Sequence, residues 1–194
     1  GGRAVLHAGD ITYALVWPEA PAERKRAYSL ASGWLLNAFK AIGMPLQPGL
    51  QAASIQRSSC FATSTAADLV HPCGAKRVGS AQLWRRGCLL QHGSILVDPP
   101  TKLWRQVFGS EPPQLPRLPL GLGEMEALLI DSALASLPPA KTSGSVIQPL
   151  APDELAAVTA RSGDYGVTLT GVSPLASPDA SIERTTWGRA RPRG

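Results

Sequence analysis

In this chain of 194 residues, 44% hydrophobic and 17% charged side chains describe a globular protein and exclude a disordered one. Of its 19 basic residues, Arg184, Arg189, Arg191 and Arg193 stand in the C-terminal stretch, leaving 15 against 14 acidic ones, so the body is near neutral and offers no basic, aromatic-interleaved surface for nucleic acid. No apolar run approaches the ~18 residues a membrane span needs, and three cysteines argue against a disulfide framework and for a reducing, cytoplasmic setting.

The chain opens on Gly1-Gly2-Arg3 without an initiator methionine or a signal-peptide pattern, which reads as a fragment that begins inside a loop. Ala4-Val5-Leu6-His7 and residues 11–16 flank the turn-like Ala8-Gly9-Asp10, and this pattern predicts a first hairpin. Over residues 23–42 the period changes. Ala27, Leu30, Ala31, Trp34, Leu35, Ala38, Phe39 and Ile42 follow helical spacing, and Gly43 stands where a helix ends. Residues 44–59 read as a polar loop ending in Arg57-Ser58-Ser59.

Residues 76–84 and 88–97 predict a second hairpin joined at Arg85-Arg86-Gly87. A two-residue turn there puts His92 opposite Ala81, whereas a one-residue bulge puts it opposite Gln82 and on the face of Lys76 and Ser80. Short helices are expected over residues 101–108, 123–137 and 152–160, with a proline-rich connector after the first. The Ser-, Pro- and Arg-rich residues from 171 on read as disordered. Early strands with interspersed and later helices predict an α+β fold with a mixed, mostly antiparallel sheet and flanking helices. The expected layout is a partial catalytic domain over 1–108, a helical, proline-rich extension over 109–170 and a basic tail over 171–194.

Candidate chemistry gathers between Cys60 and Val97. Cys60 ends a polar loop near Arg57, where a thiolate is a nucleophile; the alternative is a half-buried loop cysteine. Cys73, in a turn, and Cys88, at a strand start, read as packing residues. Cys60, His71, Cys73 and His92 lack the ligand spacing of zinc, so no metal is expected. Lys76 begins a strand whose next residues are small, so it either reaches a ligand carbonyl or phosphate or guards an exposed edge. The backbone N–H groups of Gly1-Gly2-Arg3 suit a carboxylate or phosphate, although this is neither a Walker loop nor a GxGxxG fingerprint. Taken alone, His92 reads as a satisfied structural histidine. Gly79 and Gly93 inside strands mark bulges or a close approach to the backbone.

In combination these pieces resemble a family. Gly1-Gly2-Arg3-Ala4-Val5-Leu6-His7, Cys60-Phe61, Gly74-x-Lys76-Arg77-Val78-x-Ser80-Ala81-Gln82 and Gln91-His92-Gly93-Ser94-Ile95-Leu96 together resemble the biotin/lipoate protein ligase catalytic domains, most of all the lipoate-ligase and cysteine-dependent octanoyltransferase branch. The resemblance covers residues 1–108. It implies an apolar tunnel for an octanoyl or lipoyl chain, with Gly1, Gly2 and Lys76 around the acyl carbonyl. Arg3, His7, Gly79, Ser80, Ala81, His92 and Gly93 complete the substrate-binding set. Cys60 would take the acyl group from acyl carrier protein without a cofactor and pass it to a lysine of a lipoyl-domain protein. Arg77, Arg85, Arg86, Lys102 and Arg105 would steer these acidic partners. Neither nucleic acid nor membrane is an expected partner. One alternative is a ligase that uses ATP and Mg through Lys76 and the Gly-rich loop, with Cys60 incidental. The other is a non-catalytic acyl- or carrier-binding module. The resemblance also leads one to expect a pair of arginines and a strand-helix segment ahead of Gly1, and an Asp where Ala8 stands, with Asp10 two residues on.

Overall fold

Arg86 and Gly87 set the register of the sheet. Both have positive φ, 50° and 78°, the backbone of a two-residue hairpin turn whose twist matches that of the flanking strands. They join strand β4 (Lys76–Arg85) to strand β5 (Cys88–Leu96), with Arg85 opposite Cys88 and Ala81 opposite His92. Of the two registers open to the sequence, this is the one without a bulge. The computed structural model describes residues 4–49, 61, 68–137 and 147–165, and the Gly-rich start, Cys60 and the basic tail lie outside them.

The remaining strands are β1 (Asp10–Trp17), β2 (Gln47–Pro48) and β3 (Leu69–Val70). The five form one sheet in the order β1-β5-β4-β3-β2, and all four pairings are antiparallel. This bears out the α+β expectation and corrects the first hairpin. Strand β1 pairs with β5, from Asp10 opposite Leu96 to Trp17 opposite Leu89, and not with residues 4–7. Gly9 explains the misreading. At φ +70° its carbonyl accepts the N–H groups of Val97 and Asp98, both at 2.9 Å, so the apparent turn is a docking point on the end of β5. A Cβ on Gly9 would stand 2.0 Å from the Asp98 carbonyl oxygen. A Gly9→Ala variant is therefore expected to lose at least about 2 kcal/mol of unfolding free energy, from backbone strain and overlap together, which a urea titration measures.

Helix α1 (Arg24–Ala41) buries Ala27, Ala31, Trp34, Leu35, Ala38 and Phe39 against one face of the sheet. Its end is closed by Gly43, with Gly43 N–H to the Lys40 carbonyl and Met44 N–H to the Phe39 carbonyl, the paired bonds of a left-handed glycine cap. Helix α3 (Leu122–Ser136) packs beside α1, and Met125 and Leu129 join Trp34, Leu35, Phe39, Leu69, Val78 and Ile95 in the main core. Helix α2 (Thr101–Phe108) contributes Trp104 to a second cluster with Phe61 and Leu96. Ile95 and Leu96 are successive strand residues and point to opposite faces, so the two clusters sit on opposite sides of the sheet. The chain divides into two units, Gly1–Pro139 and Ala140–Gly194. In the second, helix α4 (Pro152–Arg161) starts on Pro152, and the Glu154 carboxylate accepts the Ala151 N–H. Among the described residues no helix is long and apolar enough to cross a membrane.

Candidate functional site

Strand β4 begins with a bulge, and the bulge builds the site. Leu69 pairs with Val78 but Val70 pairs with Lys76, so Arg77 is an extra residue on β4. Alternation is suspended there: Lys76, Arg77 and Val78 are all buried. Lys76 is thus neither an exposed edge lysine nor a side chain reaching into solvent. Its Nζ lies 2.9 Å from Asp68 Oδ1, with side chains 2% and 7% exposed, and 5.0 Å from the centre of the Phe61 ring. The side-chain nitrogen thus lies between a carboxylate on one side and an aromatic ring on another. Gly79 makes room for this: a Cβ there would stand 3.1 Å from Lys76 Cε and 3.5 Å from Phe61 Cζ. The glycine serves an internal side chain.

Away from the α1 face, the pairings align three rows across β1, β5 and β4. The first is Thr12, Ser94 and Gly79; the second Ala14, His92 and Ala81; the third Val16, Leu90 and Leu83. Ala14, Ala81 and His92 are exposed, and Val16 and Leu83 are 67% and 59% exposed. This outer face is a floor of small residues beside Lys76 that turns apolar toward the hairpin end. At its β1 side, Ser94 Oγ donates to Asp10 Oδ2 at 2.6 Å, and His7 Nδ1 lies 2.9 Å from the same oxygen.

Ser80 and Gly93 belong to the opposite, helix-covered face. Ser80 Oγ bonds the Tyr13 hydroxyl at 2.7 Å and also meets Tyr28. Gln91 Nε2 donates to Tyr13 Oη at 3.1 Å, and Gln82 Nε2 donates to Gln91 Oε1 at 2.7 Å. Burial pushes the Tyr13 and Tyr28 phenols up, keeping both neutral. A Cβ on Gly93 would lie 2.5 Å from the Gly79 carbonyl oxygen and 2.7 Å from Tyr13 Cε1, so Gly93 permits the close approach of the strands and the Tyr13 ring. Lys76, Gly79, Ala81, His92 and His7 therefore belong to the outer side, whereas Ser80 and Gly93 form its backing. Gly1, Gly2, Arg3 and Cys60 lie outside the described residues. The sequence reading passed over Asp68. The one available signal was a lone carboxylate entering an apolar pair, Leu69-Val70.

Two expectations are corrected. Arg77, expected to steer partners, is fully buried: it donates from Nε to His71 Nε2 at 2.9 Å, from Nη1 to the Leu96 carbonyl at 2.8 Å and from Nη2 to the Pro116 carbonyl. Cys73 and Cys88, expected to pack, are exposed free thiols. Among the described residues no three His, Cys, Asp or Glu side chains gather as a metal site.

Burial, with the Arg77 charge second, pulls the His71 pKa down to about 4. The unfolded chain titrates near the ordinary 6.5, so between those values the unfolded state binds more protons. This contribution is complete above about pH 6.5 and is lost as the pH falls toward 4, amounting to at most about 3 kcal/mol. A His71→Gln variant should accordingly show a flatter stability profile over that window in urea titrations.

The comparisons agree with the geometry. Residues 1–99 match the model of the biotin/lipoate A/B protein ligase family. Over 110 residues the chain is 36% identical to an octanoyltransferase LipM of Brevibacillus brevis and 40% identical to one of Staphylococcus aureus. In each case the match covers 50% of this chain and 40% of the relative. Among solved structures, a lipoate-protein ligase A bound with ATP superposes with a TM-score of 0.56 at 16% identity, covering 79% of this chain and 60% of that one. A bi-partite lipoate protein ligase and its lipoyl domain from Thermoplasma acidophilum gives a TM-score of 0.52 at 15% identity, covering 79% and 59%. These two likenesses show the shared fold.

Proposed function

Because the chain belongs to the biotin/lipoate A/B protein ligase family, we propose that it carries the acyl-transfer site of an octanoyl (or lipoyl) transferase. Its product would be an acylated lysine on a lipoyl domain. The observation that carries this is the Lys76–Asp68 pair lying on Phe61, because the residue before Phe61 in the chain is Cys60. The likeness to octanoyltransferases named LipM supports the same reading over half of the chain.

The chemistry divides into a thioester exchange and an aminolysis, in which the acceptor lysine forms an amide bond to the acyl carbon and the C–S bond to Cys60 breaks. Cys60 attacks the thioester of an octanoyl group on acyl carrier protein, the carrier thiol leaves, and the acyl group rests on sulfur. Exchange between thioesters is near neutral in energy and needs no ATP. Lys76, fixed by Asp68, donates a hydrogen bond to the carbonyl oxygen as it gains negative charge, and a cation close to a thiol favours its thiolate. The small outer floor at Gly79 and Ala81 leaves room for the carbonyl and the first carbons of the chain. The apolar row of Val16, half-buried Leu90 and Leu83 supplies a surface for its far end. Arg85, Arg86, Lys102 and Arg105 remain candidates for steering acidic partners, and Arg77 does not.

The test supplies octanoyl-acyl carrier protein and a lipoyl domain to the purified protein without ATP and follows the lipoyl domain by mass spectrometry. Octanoylation of its lysine is the expected result. Modification that requires free lipoate, ATP and Mg instead would establish a ligase in which Lys76 meets an acyl-adenylate. Acyl binding without either reaction would leave a binding module.

A further inference from the structure

We propose that His7 is the general base that deprotonates the acceptor lysine, and that Asp10 and Ser94 hold its ring for the task; this role rests on the transferase reading above. Three elements supply the group: the loop before β1 gives His7, the first residue of β1 gives Asp10, and β5 gives Ser94. Asp10 Oδ2 receives Ser94 Oγ at 2.6 Å and faces His7 Nδ1 at 2.9 Å. A carboxylate only accepts hydrogen bonds, so the proton of the neutral imidazole sits on Nδ1 and the lone pair on Nε2. The Asp10 side chain is 4% exposed and that of His7 is 59% exposed. The orienting group is buried while the working nitrogen faces outward, the arrangement of an oriented base.

Its position fits the reaction. Ser94 lies opposite Gly79 on the neighbouring strand, and Gly79 is the residue over which the Lys76 side chain folds. The oriented histidine and the charged lysine thus border one row of the outer face, with Ser94 and Gly79 as the floor between them. The titratable groups on the surrounding elements are His92 on β5, Asp98 after it, Lys76 and Asp68 beyond Gly79, and Lys102 and Arg105 on α2.

A lysine ammonium near its ordinary pKa of about 10.4 cannot attack a carbonyl, whereas an imidazole near 6.5 can take its proton at neutral pH. His7 Nε2 removes one proton from the ammonium and passes it to water. The free amine forms a C–N bond to the thioester carbon, and the C–S bond breaks. The second nitrogen proton goes through His7 to the departing thiolate. The sum is thioester plus ammonium giving amide, thiol and one proton, with no redox change.

The experiment measures the two half-reactions separately in single turnovers between pH 5.5 and 9, for the wild type and for His7→Gln, Asp10→Asn and Asp10→Glu. The first is thioester formation from octanoyl-acyl carrier protein; the second is transfer to a lipoyl domain. His7→Gln is expected to lower the ratio of transfer to acylation about 100-fold and to abolish the limb of the transfer profile that His7 supplies. Asp10→Asn lowers the ratio less, and Asp10→Glu recovers part of it. Nitrogen NMR of the resting wild type at pH 8 should find the His7 proton on Nδ1. A proton on Nε2, or a His7→Gln ratio within about threefold of wild type with the limb intact, overturns the role of His7. A wild type that forms no thioester overturns the transferase reading and this role with it.

Discussion

A Lys76→Met variant is expected to lose at least about 100-fold in octanoyl transfer and about 3–5 kcal/mol in stability. The first effect follows from removing the donor set beside Gly79, since loss of a single preorganised donor to a developing oxyanion costs about 10²–10³ in rate. The second follows from the environment: with Lys76 and Asp68 both almost wholly buried, the substitution leaves the carboxylate without the ammonium at 2.9 Å that offsets its desolvation. The double variant Lys76→Met/Asp68→Asn separates the two. Neutralising both partners should restore much of the stability in urea titrations while transfer stays at the level of the single variant. A single variant that unfolds like wild type would show that the pair is not the buried, coupled unit inferred from its geometry, and a double variant that regains transfer would remove Lys76 from the chemistry.

An Arg77→Met variant should cost as much stability, about 3–5 kcal/mol, with no direct effect on charge at the surface. The guanidinium joins three segments: the turn before β4 through His71, the end of β5 through the Leu96 carbonyl, and the proline-rich connector through the Pro116 carbonyl. Burial pulls its pKa down to about 10, which still leaves it charged at neutral pH. Methionine fills part of the volume and satisfies none of the three acceptors, each of which then bears a desolvation cost. Arg77→Lys should recover little, because a point ammonium cannot span three acceptors as a planar fork does. Thermal and urea unfolding measure both variants.

These two residues also show where the sequence was readable and where it was not. Helix α1 was legible because its apolar spacing and its glycine cap agree, and the β4–β5 hairpin because two alternating runs meet at Arg86-Gly87. The position of Lys76 in the chain was legible through the motif, but its burial was not. A bulge on β4 suspends the alternation by which inside is told from outside, so Arg77 looked like an exposed cation. Strands β2 and β3 are two residues each, too short for any periodicity, and Gly9 mimics a turn because it needs the same left-handed backbone. Cys73 and Cys88 failed in the other direction: neither the turn around Cys73 nor the apolar strand that Cys88 begins buries its thiol. The His7–Asp10–Ser94 group was invisible because Ser94 meets Asp10 only through the β1–β5 pairing, and that pairing was the one the first hairpin displaced.

The central claim is that the acyl group passes through Cys60. Incubating the protein with octanoyl-acyl carrier protein without ATP, followed by intact-mass and peptide mass spectrometry, tests it most directly. The account predicts one octanoyl group per chain, labile to hydroxylamine, on the peptide containing Cys60, and its loss in Cys60→Ser. An adduct confined to the exposed thiols Cys73 or Cys88, or no adduct while transfer to the lipoyl domain still proceeds, would contradict it.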